Sequence, residues 1–254
     1  MESLAGSQEP RTLNDFVDAT GLPKSTLVRL LSVLDEMDYV VRVDARPSYR
    51  LGHKVLQLSD AYLAALDLSV VADPYLAPLA ERTGQTANLG MLDGTQVIHV
   101  CVHEPDRPIR FQAAVGMRDH AYCTGLGKVL LAHANPDELA VHLPPEPFVP
   151  FTEHTITGYD EFVRELRRTR RRGHAFDDDE RSHGLRCVAV PVTVDGECLA
   201  AVSVSGASGE FGPDRRQSYV DRLTETAAEL ADDPDTVAAL RVARRSLQPA
   251  VHER

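Results

Sequence analysis

The segment 23–32, PKSTLVRLLS, sets Lys24, Ser25, Thr26 and Arg29 on the first turns of a helix that Pro23 opens. Ammonium, hydroxyl and guanidinium groups grouped in this way can donate hydrogen bonds to the phosphates and base edges of duplex DNA. Leu27, Leu30, Leu31 and Leu34 recur at helical spacing and form the side expected to be buried. Upstream, Leu13, Phe16 and Val17 give a shorter amphipathic helix. Thr12 with Asp15 three residues on is its capping signal, and Gly21 is its stop. A short helix, a glycine turn and a second helix with an exposed polar N-terminal face make the helix-turn-helix pattern. Residues 40–43 and 49–51 read as strands joined by a turn at 44–48, the hairpin of a winged helix. Arg42, Arg46 and Arg50 then lie where they can reach a phosphate backbone.

A second group of chemistry-bearing residues lies far downstream. Cys123-Thr124-Gly125-Leu126-Gly127-Lys128 opens a helix with small residues, and the amides of such a start can hold an anion. It is not a nucleotide-binding P-loop, because Tyr122 replaces the first glycine and Val129 the serine or threonine. The same glycines also suit a turn that lets strand and helix approach closely. Ser203 and Ser205 sit two apart on an expected strand, so both hydroxyls share one face and Val202 and Val204 the other. That hydroxyl face either holds a small polar ligand or is merely solvated. Asp177-Asp178-Asp179-Glu180 follows a basic run of Arg164, Arg167, Arg168, Arg170, Arg171 and Arg172, and the expectation is a solvated helix paired with the acidic run. Asp177, His183 and Cys187 lack any context that would orient a base on a nucleophile, so the chain is not read as an enzyme.

These residues need elements to position them. After Gly52, Val55, Leu56, Tyr62, Leu63 and Leu66 fall at helical spacing, which predicts a connecting helix, with a new helix starting at Asp73-Pro74 and stopping at Gly84. Strands are expected at 87–92 and 96–102 around Asp93-Gly94, and a third at 109–115. Helices are expected at 125–133, 159–172 and 213–230, with a helical tail after Pro234. A second hairpin, 186–194 with 197–204, turns at Asp195-Gly196. Hairpins with helices and no βαβ rhythm predict an α+β domain, an antiparallel sheet flanked by helices.

Composition narrows the partners. A chain of 254 residues that is 43% hydrophobic can bury one large core or two ordinary ones. No apolar run reaches the length of a bilayer span, and the N-terminus lacks a secretory signal, so no membrane partner is expected. Cys101, Cys123, Cys187 and Cys198 are widely spaced without metal-site spacing, which predicts reduced thiols in a cytoplasm and neither metal nor cofactor. The net charge of −11 argues against indiscriminate nucleic-acid binding. Residues 1–52 themselves carry six Lys/Arg against eight Asp/Glu. Specific DNA binding then calls for discrete basic residues on one surface and for dimerisation.

Taken together, GLPKSTLVRLLSVLDEMDYV, YRLG, AYCTGLGKVLLA, RGHAFDDDERSHGLRCVAVPV and AAVSVSG, in that order, resemble the IclR family of bacterial transcriptional regulators. The resemblance runs from about Leu13 to about Leu230. It implies a winged helix-turn-helix over 1–52, a linker helix over 53–72 and a GAF-like effector-binding domain with a helical extension over 73–254. It also implies a homodimer or dimer of dimers on a palindromic operator. Pro23, Lys24, Ser25, Thr26 and Arg29 match the motif of the helix that enters the major groove. The resemblance further implies an effector pocket built from Gly125, Leu126, Asp177, Cys187, Ser203 and Ser205, with Phe111 beside it. Helix-terminal amides and paired hydroxyls suit a small organic acid. Asp177 would repel a bare carboxylate, and instead accepts a hydrogen bond from a ligand hydroxyl or acts as the neutral acid. The chain departs from the pattern in keeping only Glu2-Ser3-Leu4-Ala5 of the helix ahead of the helix-turn-helix. That departure leaves a second expectation, a small-molecule sensor that has lost autonomous DNA binding.

Overall fold

The computed structural model describes residues 1–7, 9–43, 48–58, 61, 68–107 and 113–247. The chain divides into two compact units, Met1–Ala65 and Leu66–Arg254.

The first unit contains α1 (Glu2–Ala5), β1 (Arg11–Thr12), α2 (Leu13–Thr20), α3 (Lys24–Glu36), β2 (Val40–Arg42) and β3 (Ser48–Leu51). The start and stop of α2 follow from its sequence. Thr12 and Asp15 form a reciprocal capping box, and Gly21 closes the helix with φ +69°. The three strands pair antiparallel in the order β1-β3-β2, so the hairpin expected from 40–51 is present, and β1 widens it. Leu4, Phe16, Leu27, Leu31, Val40 and Tyr49 are the buried core. Leu30 departs from expectation: it is 46% exposed, because Leu27 and Leu31, one turn apart, already fill the space against Phe16 and Val40.

The second unit contains α4 (Leu68–Thr83), β4 (Thr86–Asp93), β5 (Gln96–His103), β6 (Arg118–His120), α5 (Gly125–His133), α6 (Tyr159–Arg172), β7 (Ala175–Asp178), β8 (Leu185–Val194), β9 (Glu197–Ala207), α7 (Pro213–Asp232) and α8 (Pro234–Leu247). One antiparallel sheet runs β6-β5-β4-β9-β8-β7. Helices α4, α7 and α8 cover one face with Val188, Val190, Val202 and Val204 in the core between. Helices α5 and α6 cover the other, over Ala175, Ala189 and Ala201. The small residues beneath α5 let it lie close to the strands.

Three expectations need correction. The helix stopping at Thr83 is described from Leu68 on and runs through Pro74 rather than beginning there. Proline removes an amide from the ladder, and the residue whose carbonyl loses that partner, Val70, is 66% exposed and can turn to water. The third strand is Arg118–His120; residues 113–115 form no strand, and 109–112 lie outside the described residues. The basic run of α6 does not pair with the acidic run. Glu165 takes Arg168 and Arg172, both at 2.8 Å, whereas Asp178 and Asp179 pair with Arg186. The edge strand β7, too short to show in hydropathy, is the element that carries Asp177 into the sheet.

Candidate functional site

In the first unit the polar residues of α3 stand on its surface. Pro23 is the N-cap, Lys24, Ser25 and Arg29 are exposed and Thr26 is half-buried, while Leu27 and Leu31 point into the core. Arg42 on β2 and Arg50 on β3 are exposed as well. Lys24, Arg29, Arg42 and Arg50 form no ion pair among the described residues. A long cation without an internal partner is free to meet phosphate. Arg46 lies outside the described residues.

In the second unit a cavity of about 80 Å³ lies between the concave sheet face and the start of α5. Register explains its lining. Asn88 stands opposite Ser203, Cys187 opposite Ser205, and Asp177 opposite Cys187, so four strands present these side chains to one face. Leu126 and Thr124 close it from α5, and His99, Met117 and Asp119 from the β5–β6 side. The close approach depends on glycines. A Cβ on Gly125 would lie 3.0 Å from Cys187 Sγ, and one on Gly127 only 2.1 Å from the Ala121 carbonyl oxygen. Thr124 caps α5 by accepting the Gly127 amide at 3.2 Å. The cavity therefore brings together Leu126, Asp177, Cys187, Ser203 and Ser205, with Gly125 against Cys187; Phe111 lies outside the described residues.

The polar groups are wired to one another. Asn88 Nδ2 donates to Ser205 Oγ (3.2 Å), Ser203 Oγ (3.4 Å) and the Thr86 carbonyl (3.2 Å). Asp119 accepts from Arg181 Nε at 2.9 Å and faces His99 Nε2 at 3.5 Å. Burial acts to raise the Asp119 carboxyl, but the His99 and Arg181 contacts outweigh it and hold it low. Arg181 also stacks over Phe151, 4.5 Å from the ring centre. Asp177 is the opposite case: burial pushes it up to about 7, against the pull of Lys128 and with the help of Glu180. Its Oδ1 accepts the Glu180 amide at 2.8 Å, and Glu180 in turn pairs with the buried Lys128.

A nucleophilic reading of this site fails on geometry. The Cys187 thiol is pushed up to about 12 by burial and by Asp177, away from thiolate. His183 meets Glu153 at 3.4 Å on the surface. Among the described residues no cluster of His, Cys, Asp or Glu is placed to hold a metal ion, and no helix is long and apolar enough to cross a membrane.

Sequence reasoning missed Asn88, His99, Asp119 and Arg181. Asn88 and His99 carried a readable signal, since each interrupts an apolar strand at a position whose neighbours alternate. Asp119 and Arg181 carried none, because they meet only through folding.

Comparison with known proteins agrees with this division. The model of the IclR helix-turn-helix domain matches residues 1–44, and that of the bacterial transcriptional regulator IclR C-terminal domain matches residues 60–232. The chain is 33% identical to the HTH-type transcriptional regulator BhcR of Paracoccus denitrificans, over 87% of this chain and 79% of that protein. It is 31% identical to KdgR of Escherichia coli, another HTH-type transcriptional regulator, over 89% of this chain and 86% of that protein. The crystal structure of the IclR protein of Thermotoga maritima superposes with a TM-score of 0.65 at 28% identity, covering 91% of this chain and 93% of that one. With a winged helix-turn-helix that carries exposed cations and a separate α+β unit built around a polar cavity, the chain belongs to the IclR family of ligand-responsive, DNA-binding transcriptional regulators.

Proposed function

We propose that this regulator binds a palindromic operator in the cytoplasm as a homodimer, or as a dimer of dimers, and releases or tightens its hold when a small organic acid enters the cavity. No cofactor takes part. Lys24, Ser25, Thr26 and Arg29, behind the N-cap Pro23, contact the major groove, with Arg46 on the phosphate backbone. The effector is held by Gly125, Leu126, Asp177, Cys187, Ser203 and Ser205, with Phe111 beside them. Arg46 and Phe111 are assigned from the sequence alone. One observation carries the DNA part: the N-terminal face of α3 is exposed and its cations have no partner among the described residues. The matched helix-turn-helix domain argues against the sensor that has lost DNA binding. Effector binding shifts the placement of the paired DNA-binding units through the 53–72 segment, so that its differential affinity for the two arrangements sets operator affinity.

The test is fluorescence anisotropy of the purified chain on DNA from upstream of its own gene, against scrambled DNA, at two salt concentrations. Sequence-dependent binding that weakens with salt is expected. Equal affinity for both DNAs would refute the operator proposal.

A further inference from the structure

The cavity holds two buried hydrogen-bonding atoms without a partner among the described residues, Asn88 Oδ1 and His99 Nδ1. Asn88 is 2% and His99 7% exposed, and both line the cavity. The orientation of Asn88 is fixed by chemistry. Its Nδ2 meets the Thr86 carbonyl, which can only accept, so the oxygen is the idle atom. His99 presents Nε2 to Asp119 at 3.5 Å, which leaves Nδ1 as the ring's second hydrogen-bonding atom. The idle Asn88 oxygen is an acceptor, and a buried acceptor left unmet is costly. The opposite requirement is met nearby. Ser205 Oγ accepts from Asn88 and keeps its own proton to donate, and the first turn of α5, with Thr124 and Leu126 in the lining, offers the positive end of a helix.

We infer that the effector is a short aliphatic hydroxy acid, its hydroxyl proton directed to Asn88 Oδ1 and its carboxylate to Ser205 and the start of α5. This deepens the organic-acid reading and rests on it. A keto acid of the same size presents a carbonyl, an acceptor, to the Asn88 oxygen, another acceptor. A plain carboxylic acid leaves it unmet. The cavity of about 80 Å³ is smaller than the roughly 150 Å³ of a cavity that takes a benzene ring, which selects a short chain over an aromatic acid.

The experiment measures dissociation constants on the full chain by ligand-detected NMR for matched probes: glycolate against glyoxylate and acetate, D- and L-lactate against pyruvate and propionate, and 4-hydroxybenzoate against benzoate. A hydroxy acid is expected to bind tighter than its keto and deoxy partners by about tenfold to a hundredfold. Asn88→Ala should shrink that ratio to less than about threefold. The ligand ratios alone decide the matter if the variant does not fold. Equal or tighter binding of the keto or deoxy acids would overturn the hydroxy-acid inference while leaving the organic-acid reading intact. Discrimination only within the aromatic pair would overturn the short-chain part. Failure of every acid to bind would overturn both readings.

Discussion

The two units do their chemistry in opposite places. In the first, the apolar residues of α3 hold a small core and the functional groups stand outside, on one contiguous stretch of helix, with no ion-pair partner among the described residues. In the second, the functional groups are inside, drawn from four strands and a helix start, and nearly every one is tied to another. A surface site tolerates its surroundings, because water satisfies whatever the ligand does not. An interior site must balance its own hydrogen bonds, so what remains unbalanced describes the ligand.

This contrast can be broken by substitution. Leu31→Ala should have the largest effect. It empties part of a core of six buried residues and should cost about 2–5 kcal/mol. Hydrogen exchange should show α2 and α3 losing protection while the sheet of the second unit keeps its own. Equal loss in both units would mean that they do not fold as separate cores.

Next comes Asp177→Asn, which tests whether a charge inside the second unit is costly. The folded chain holds this proton up to about pH 7, whereas the unfolded chain releases it near 3.8. Stability from this group is therefore complete below about 3.8 and lost as pH climbs through 7. The variant should match the wild type near pH 4 and exceed it above pH 7. The excess should be at most about 4 kcal/mol, since each tenfold change in proton affinity is worth roughly 1.4 kcal/mol. Thermal unfolding at several pH values reads the difference, and a constant gap would show that Asp177 is not the titrating group.

Arg29→Ala sharpens the other side of the comparison. As an exposed residue it should leave the melting temperature unchanged and weaken operator binding by about 1–3 kcal/mol, without altering effector affinity. Unchanged operator affinity would remove Arg29 from the contact surface. Smallest is Ser203→Ala, which takes away one of three acceptors of the Asn88 amide. Effector affinity should fall by about 1 kcal/mol with operator binding of the free protein intact. An unaltered effector titration would discard this serine.

The same difference between outside and inside governs what is legible in the sequence. The Thr12–Asp15 cap, the Gly21 stop and the polar turn of α3 are local events, each encoded within a few residues, and the structure contains all of them. The Asp195-Gly196 turn is equally local, with φ of +53° and +80° at its two residues. Strand alternation suffices to place Ser203 and Ser205 on one face. It does not show that this face is covered, since that depends on α5 settling on Ala189 and Ala201. The strands β6 and β7 have three and four residues, too few for a period to emerge, and exist because β5 and β8 offer open edges. Leu68 to Thr83 remains one helix through Pro74 because its apolar residues have a sheet to bury them. Asp119 and Arg181 lie 62 residues apart in sequence, and only the closed fold joins them.

The burial of Lys128 has a practical consequence. The lysines of this chain are Lys24, Lys54 and Lys128. Lys128 is 1% exposed and shut in by Glu180 and the Phe176 carbonyl, whereas Lys24 and Lys54 are exposed in the first unit. Amine-directed dyes and cross-linkers applied to the folded chain will therefore label the DNA-binding unit, through these two side chains, and leave the lysine of the second unit dark. A single labelling step thus blocks Lys24 on the proposed DNA-contact surface without disturbing the cavity, and delayed labelling at Lys128 becomes a clock for opening of the second unit.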